Sequence, residues 1–279
     1  MINSNGSLLN SQDNLLFNNR AFLYGDGIFE TMKVLDNKIL FLEDHYFRLM
    51  SGMRIVRMEI PMNFTMEYFE EQVLLTAKAN SCEHSGRIRI TVYRNSGGYY
   101  LPEQNTIQFL IHAAQLDKTI YSFDGLPYEI DLYKDFYVTK QLLSTVKSTN
   151  KMINITGSIF ADENGFQNCL LLNDSKNVVE TLQGNVFMLI GNRLTTPPVS
   201  DGCVNGIMRK QILAIAKKIE NLEVAEESIS PFDLQKADEV FITNVIKGIQ
   251  PVTKYRKKDF GNTVAKELLM KLNAAVRLG

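Results

Sequence analysis

Lys147 and Glu180 bracket the stretch of this chain richest in chemistry, VKSTNKMINITGSIFADENGFQNCLLLNDSKNVVETLQGNVF over 146–187. A lysine amine attacks carbonyls and forms a Schiff base, and a carboxylate held near a core pairs with a protonated ring nitrogen. Those are two of the things a protein must supply to pyridoxal phosphate. The third is an anion site for the phosphate. Arg48 offers a guanidinium fork suited to that geometry. The loop Ser200–Gly206 leads into a glycine-started helix, whose first N–H groups and positive dipole end also bind phosphate. Each residue has a plain alternative: a solvated lysine, a strand-end glutamate, a helix-surface arginine, an ordinary capped helix. Lys151, four residues after Lys147, is basic too; on one helical face the two compete for the role, or the second charge depresses the pKa of the first. His45, three residues before Arg48, reads as structural.

The elements around these residues follow from periodicity. Residues 28–34 and 38–42 form a hairpin about Asp36-Asn37. Helical spacing covers 42–56 and 66–79, with strands at 87–93 and 106–113. Residues 114–126 lose periodicity. Beyond them come strands near 128–132, 169–173, 184–190, 222–225 and 239–244, and helices near 151–161, 206–220 and 264–278. This gives a small α+β domain over 1–115, a linker over 116–126 and a larger domain over 127–279.

Composition excludes several classes. The chain of 279 residues is 45% hydrophobic and 22% charged with net charge −1, which suits a globular protein and no nucleic-acid surface. Three scattered cysteines form neither a disulfide framework nor a metal site. The N-terminal MINSNGSLLNSQDNL lacks the features of a secretory leader, and no apolar run reaches membrane-spanning length, so a cytoplasmic protein without a membrane partner is expected. No GxSxG, GxxxxGK[ST], GxGxxG or paired-histidine motif occurs.

Taken in order, the motifs resemble the class IV pyridoxal-phosphate enzymes: branched-chain aminotransferases, D-alanine aminotransferases and aminodeoxychorismate lyases. Arg20–Thr31 (RAFLYGDGIFET) is similar to the family's opening motif, and His45-Tyr-Phe-Arg48-Leu49 to its HxxRL. Lys147, Asn150 and Asn154 match KxxNxxxN; Glu180, Asn185 and Phe187 match E-x4-N-x-F. Gly206-Ile-Met-Arg209 resembles G-I-T-R, and Ala237–Asn244 with Pro251-Val252 resembles ADEVFxTN…PV. The resemblance implies an α/β, two-domain fold with a small α+β N-terminal domain and a larger α/β pseudo-barrel C-terminal domain. It further implies a homodimer, a small-molecule amino substrate and pyridoxal 5'-phosphate as cofactor. Lys147 then carries the Schiff base, Arg48 and the amides of Ile207 and Met208 hold the phosphate with Asn244 and Val245, and Glu180 faces the ring nitrogen. Tyr24, Tyr99, Tyr100 and Lys151 are the substrate-side candidates, and no metal is implied.

Two features favour the lyase, which eliminates pyruvate and releases 4-aminobenzoate, over an aminotransferase, and a third argues against a D-amino-acid specialist. Val204–Arg209 is closer to lyase members, and Lys151 is basic where transaminases usually carry Tyr or Leu. Gly97–Pro102 lacks the Arg-x-His carboxylate trap of D-alanine transaminases. Thr181 replaces the common glycine after the glutamate. The remaining alternative is a degraded, non-catalytic cofactor-binding protein.

Overall fold

The computed structural model describes residues 1–10 and 18–278. Residues 11–17, part of the stretch read above for a leader, lie outside them. The described residues pack as two units, Met1–Thr119 with Val146–Asn150, and Ile120–Thr145 with Lys151–Gly279.

The first unit contains β1 (Ile2–Ser4), β2 (Ser7–Leu9), α1 (Arg20–Tyr24), β3 (Gly27–Leu35), β4 (Lys38–Ile39), α2 (Leu42–Ile55), α3 (Met66–Ala79), β5 (Ser85–Arg94) and β6 (Ile107–Gln115). The strands form one antiparallel sheet, ordered β2-β1-β6-β5-β3-β4. Asp36 and Asn37 both have positive φ, +46° and +60°, which suits the tight turn of the expected hairpin. Strand alternation sends Ile28, Met32 and Val34 of β3, with Ile88, Ile90 and Ile111, into the core beside Leu49, Met53, Phe69 and Val73 of the two long helices. The other face carries Phe29, Thr31 and Lys33, opposite Thr91, Arg89 and Arg87.

The second unit contains β7 (Glu129–Val138), α4 (Leu142–Thr145), α5 (Met152–Glu163), β8 (Asn168–Asn173), β9 (Val178–Thr181), β10 (Asn185–Ile190), β11 (Arg193–Thr196), α6 (Ile207–Ala216), β12 (Glu223–Glu226), β13 (Glu239–Asn244), β14 (Gly248–Val252), β15 (Lys254–Tyr255), β16 (Lys258–Asp259) and α7 (Thr263–Leu278). Two five-stranded sheets, β12-β11-β10-β13-β14 and β16-β15-β7-β8-β9, share one core. It includes Ile130, Leu170 and Val178 from one sheet and Val186, Val240 and Ile242 from the other. Mixed α/β character with a half-barrel of sheets is therefore the architecture of this unit. Among the described residues no helix is long and apolar enough to cross a membrane.

One local expectation fails. Lys147 and Lys151 do not share a helical face, because α5 starts at Met152 with Lys151 as its N-cap. Residues 147–149 are extended instead: Phe29 N–H donates to the Lys147 carbonyl at 2.8 Å and Thr149 N–H to the Gly27 carbonyl at 2.9 Å. Pairing with β3 competes with the helix for these backbone groups and wins.

Candidate functional site

The expected site residues divide between the two units. Tyr24, Arg48, Tyr99, Tyr100 and Lys147 belong to the first, and Lys151, Glu180, Ile207, Met208, Asn244 and Val245 to the second.

In the first unit the opening motif receives the lysine segment. Gly25 ends α1 in the left-handed region at φ +64°, and a Cβ there would lie 2.3 Å from Asn150 Oδ1. The Thr149 hydroxyl donates to the Gly25 carbonyl at 2.9 Å. Lys147 Nζ then lies 4.6 Å from the centre of the Phe29 ring. The two glycines of this motif serve as backbone room and anchorage for the lysine strand.

Arg48 is held by a residue that the motif reading passed over. Its Nε and Nη2 donate to the two carboxylate oxygens of Glu30, both at 2.6 Å. His45 Nδ1 donates to the same carboxylate at 2.8 Å. Burial alone would raise the Glu30 pKa; the Arg48 guanidinium and the His45 ring outweigh it and hold the carboxyl at about 2. Burial drives His45 the other way from a charged state, so its pKa is lowered despite Glu30. The cluster is therefore carboxylate, guanidinium and neutral imidazole. The signal for Glu30 was in the sequence: a charged residue at an inward position of the apolar strand GIFETMKVL has to find partners, and His45 and Arg48 are one helix face.

The aromatic candidates also sit on a built support. Tyr24 and Tyr100 meet edge to face with ring centres 6.0 Å apart, and the Arg20 guanidinium lies 4.9 Å from the Tyr24 ring. Buried Arg20 donates to Asp26 at 2.9 Å and to the Gly97 carbonyl at 2.8 Å. Arg94 bonds the other oxygen of Asp26. These contacts fix the turn that carries Tyr99 and Tyr100, both highly exposed.

In the second unit hydrogen bonds link Glu180, Asn185 and the loop before α6. Val204 N–H donates to Glu180 Oε2 at 3.0 Å, and the Asn185 amide donates to the Val204 carbonyl at 2.9 Å. Gly206 is the N-cap of α6 and has no side chain to cap it. A Cβ at Gly206 would fall 1.9 Å from Asn185 Oδ1, so the glycine is required by close approach. The first amides of α6, at Ile207 and Met208, have no intrahelical acceptor by helix geometry and face the helix's positive end. Arg209, last of the motif, is buried and donates to the Pro197 carbonyl at 2.9 Å and to Glu226 at 2.6 Å, a structural role. Asn244 Oδ1 accepts from the amides of Ile246 and Lys247 at 3.1 and 2.9 Å, closing a turn around Val245. Tyr121, another residue the motifs missed, donates its hydroxyl to the Val245 carbonyl at 2.8 Å. Its signal was weak, one of two aromatics in a segment without periodicity. Lys151 stands at the start of α5, whose Asn154 donates to the Leu182 carbonyl at 2.9 Å.

Comparison with known proteins bears on the family and the fold. Residues 27–255 match the family model described as "Amino-transferase class IV". A relative from Methanocaldococcus jannaschii, named "Putative branched-chain-amino-acid aminotransferase", is 30% identical over 253 residues, 90% of this chain and 86% of the relative. A branched-chain aminotransferase of Thermoproteus uzoniensis, solved with norvaline, has the same fold at TM-score 0.87 with 21% identity, covering 99% of this chain and 94% of that one. A Legionella pneumophila structure titled "Putative 4-amino-4-deoxychorismate lyase" gives TM-score 0.83 and 25% identity, covering 97% of each chain.

Proposed function

The chain belongs to the class IV amino-transferase family, and from that premise we propose that it is a pyridoxal 5'-phosphate enzyme that eliminates pyruvate from 4-amino-4-deoxychorismate and releases 4-aminobenzoate. The residues fit the cofactor: Gly206 packs against Asn185 with no room for a Cβ at a helix start whose first amides lack intrahelical acceptors, and Glu180 is pinned by a main-chain donor.

When bound, pyridoxal phosphate supplies an electron sink for negative charge at the amine-bearing carbon of a substrate. The amides of Ile207 and Met208, the Asn244–Val245 turn and the Arg48 guanidinium would hold its phosphate. The Glu180 carboxylate, oriented by Val204 N–H, would keep the facing ring nitrogen protonated. Lys147 is the amine that would hold the cofactor's carbonyl carbon, and its free amine would serve as the base. It takes the proton from the amine-bearing ring carbon; the neighbouring ether C–O bond breaks, and the departing enolpyruvate gains a proton to become pyruvate. The ring left behind is aromatic.

The observation that carries the lyase reading is Lys151 at the N-cap of α5. A cation at the positive end of a helix costs helix stability. Its presence there, next in sequence to the Lys147 strand, suits a substrate with carboxylates to neutralise, and aminodeoxychorismate carries two. Similarity to the Legionella structure points the same way. The second reading, a branched-chain aminotransferase, is favoured by the archaeal relative. We also propose a cytoplasmic homodimer.

The test supplies aminodeoxychorismate without any keto acid. Release of 4-aminobenzoate and pyruvate in equal amounts supports the lyase. No product, with branched-chain amino acids or D-alanine converted to keto acids when an acceptor is added, overturns it.

A further inference from the structure

Asp201 is a carboxylate that none of the roles above uses. It ends a short 3-10 turn, Val199–Asp201, just before the loop that presents Val204 N–H to Glu180. The residue is only 2% exposed, and a carboxylate so buried has to be paired and hydrogen-bonded. Lys140 Nζ lies 3.0 Å from Asp201 Oδ1, and the Ser228 hydroxyl donates to Oδ2 at 2.6 Å. The main-chain carbonyl of Asp201 accepts from the side-chain amide of Asn173, at the end of β8, at 3.2 Å. Gly202 follows at φ +107°, and a Cβ there would meet the Thr139 carbonyl oxygen at 3.1 Å, so the loop is seated against the chain just after β7.

These contacts join into a ring with Glu180. Val178 N–H donates to the carbonyl of Ile229, the residue after Ser228, at 2.8 Å. Val178 opens β9, the strand that carries Glu180. From Glu180 the path runs back along β9 to Val178 and across to Ile229 and Ser228. It then passes through the serine hydroxyl to Asp201 and along the loop to Val204, whose N–H returns to Glu180. Three hydrogen bonds close this ring, so the Val204 N–H is fixed relative to the strand that bears its acceptor. A main-chain donor held on a carboxylate favours the charged form. We propose that Asp201 is a positioning residue that holds Val204 N–H on Glu180 and so keeps that carboxylate anionic for the cofactor's ring nitrogen. The inference rests on the proposed role of Glu180. A less anionic Glu180 leaves the ring nitrogen less positive, and the Lys147 nitrogen bound to the cofactor then holds its proton more tightly.

The test uses D201N, S228A and S228T. Ser228 is exposed, so its truncation leaves no cavity and S228A should fold. In the cofactor-free protein, hydrogen-exchange mass spectrometry should show residues 202–206 exchanging about fivefold faster in D201N and S228A, as the loss of one hydrogen bond implies. Exchange in residues 239–244 should not change. In the holoenzyme, the pH midpoint of the bound cofactor's visible absorption should rise by about half a unit in D201N and S228A, and S228T should restore it. Exchange that rises equally in 239–244, or a midpoint that stays at the wild-type value, makes Asp201 a residue of general stability and overturns the proposal. A wild type that takes up no pyridoxal phosphate defeats the cofactor reading; exchange over 202–206 in the cofactor-free variants then decides for or against Asp201 as the residue that holds the loop.

Discussion

Arg48 and Glu30 meet at two points, Nε on Oε1 and Nη2 on Oε2, each at 2.6 Å. The pair lies beside His45 on the core face of β3, so the direction of the guanidinium is set by a strand and a helix at once. An arginine so held has a fixed orientation, which lowers the entropy cost of the phosphate contact proposed for it.

Acid should strip this device in a defined order. Glu30 has a folded pKa of about 2, below its ordinary 4.5. A depressed carboxylate pKa contributes stability above the unfolded value, and that contribution is lost as pH falls from about 4.5 towards 2, on the order of 3 kcal/mol. His45 has a lowered pKa, so it also stabilises only above its ordinary value and costs stability as pH falls below about 6.5. Unfolding free energy measured by denaturant from neutral to acid pH should fall through both windows. Glu30→Gln should lose about 3 kcal/mol at neutral pH and flatten the lower window. An unchanged slope in that variant would remove Glu30 as the cause.

Gly206→Ala places a methyl where Asn185 Oδ1 stands 1.9 Å away. Either Asn185 or the start of α6 has to shift. Cofactor affinity should drop by at least about tenfold, with a stability loss of about 1–3 kcal/mol. Equilibrium dialysis against pyridoxal phosphate reads the first and thermal melting of the cofactor-free protein the second. Wild-type affinity in the alanine variant would show that the helix start is no cradle.

These two sites differ in how legible they were. Gly206, Glu180, Asn185 and Lys147 stand in short motifs whose spacing survives in the sequence, because each element is local. Glu30 serves Arg48 from a different element, and no local pattern links β3 to α2. The pairing of 147–149 with β3 was hidden for the same reason: helical spacing from Lys147 to Lys151 is a local signal, whereas the Phe29–Lys147 bond joins residues far apart in the chain. Helices at 42–55 and 66–79 and the hairpin at Asp36-Asn37 were legible because periodicity and turn chemistry agree there. The short helix α1 was not, since five residues carry too little periodicity.

Tyr121→Phe removes the hydroxyl that donates to the Val245 carbonyl at 2.8 Å. Net loss of stability should be about 1 kcal/mol. The turn at Asn244–Lys247 should exchange its amide hydrogens faster, which hydrogen-exchange mass spectrometry reads. Unaltered exchange in that turn would mean that Asn244 alone holds it.

Lys151→Ser exchanges a cation at the N-cap of α5 for a side chain that caps well. Stability should rise by about 1 kcal/mol, while the rate of 4-aminobenzoate release falls. A more stable protein with an unchanged rate would place Lys151 outside the reaction.

The central claim is that Lys147, on an extended segment stitched to β3, is the lysine that takes the cofactor. Borohydride reduction of the holoenzyme, followed by peptide mapping with mass spectrometry, locates the phosphopyridoxyl group directly. The account predicts the added mass on Lys147 and its absence from the Lys147→Ala variant. The label on Lys151, or on any other lysine, would contradict it.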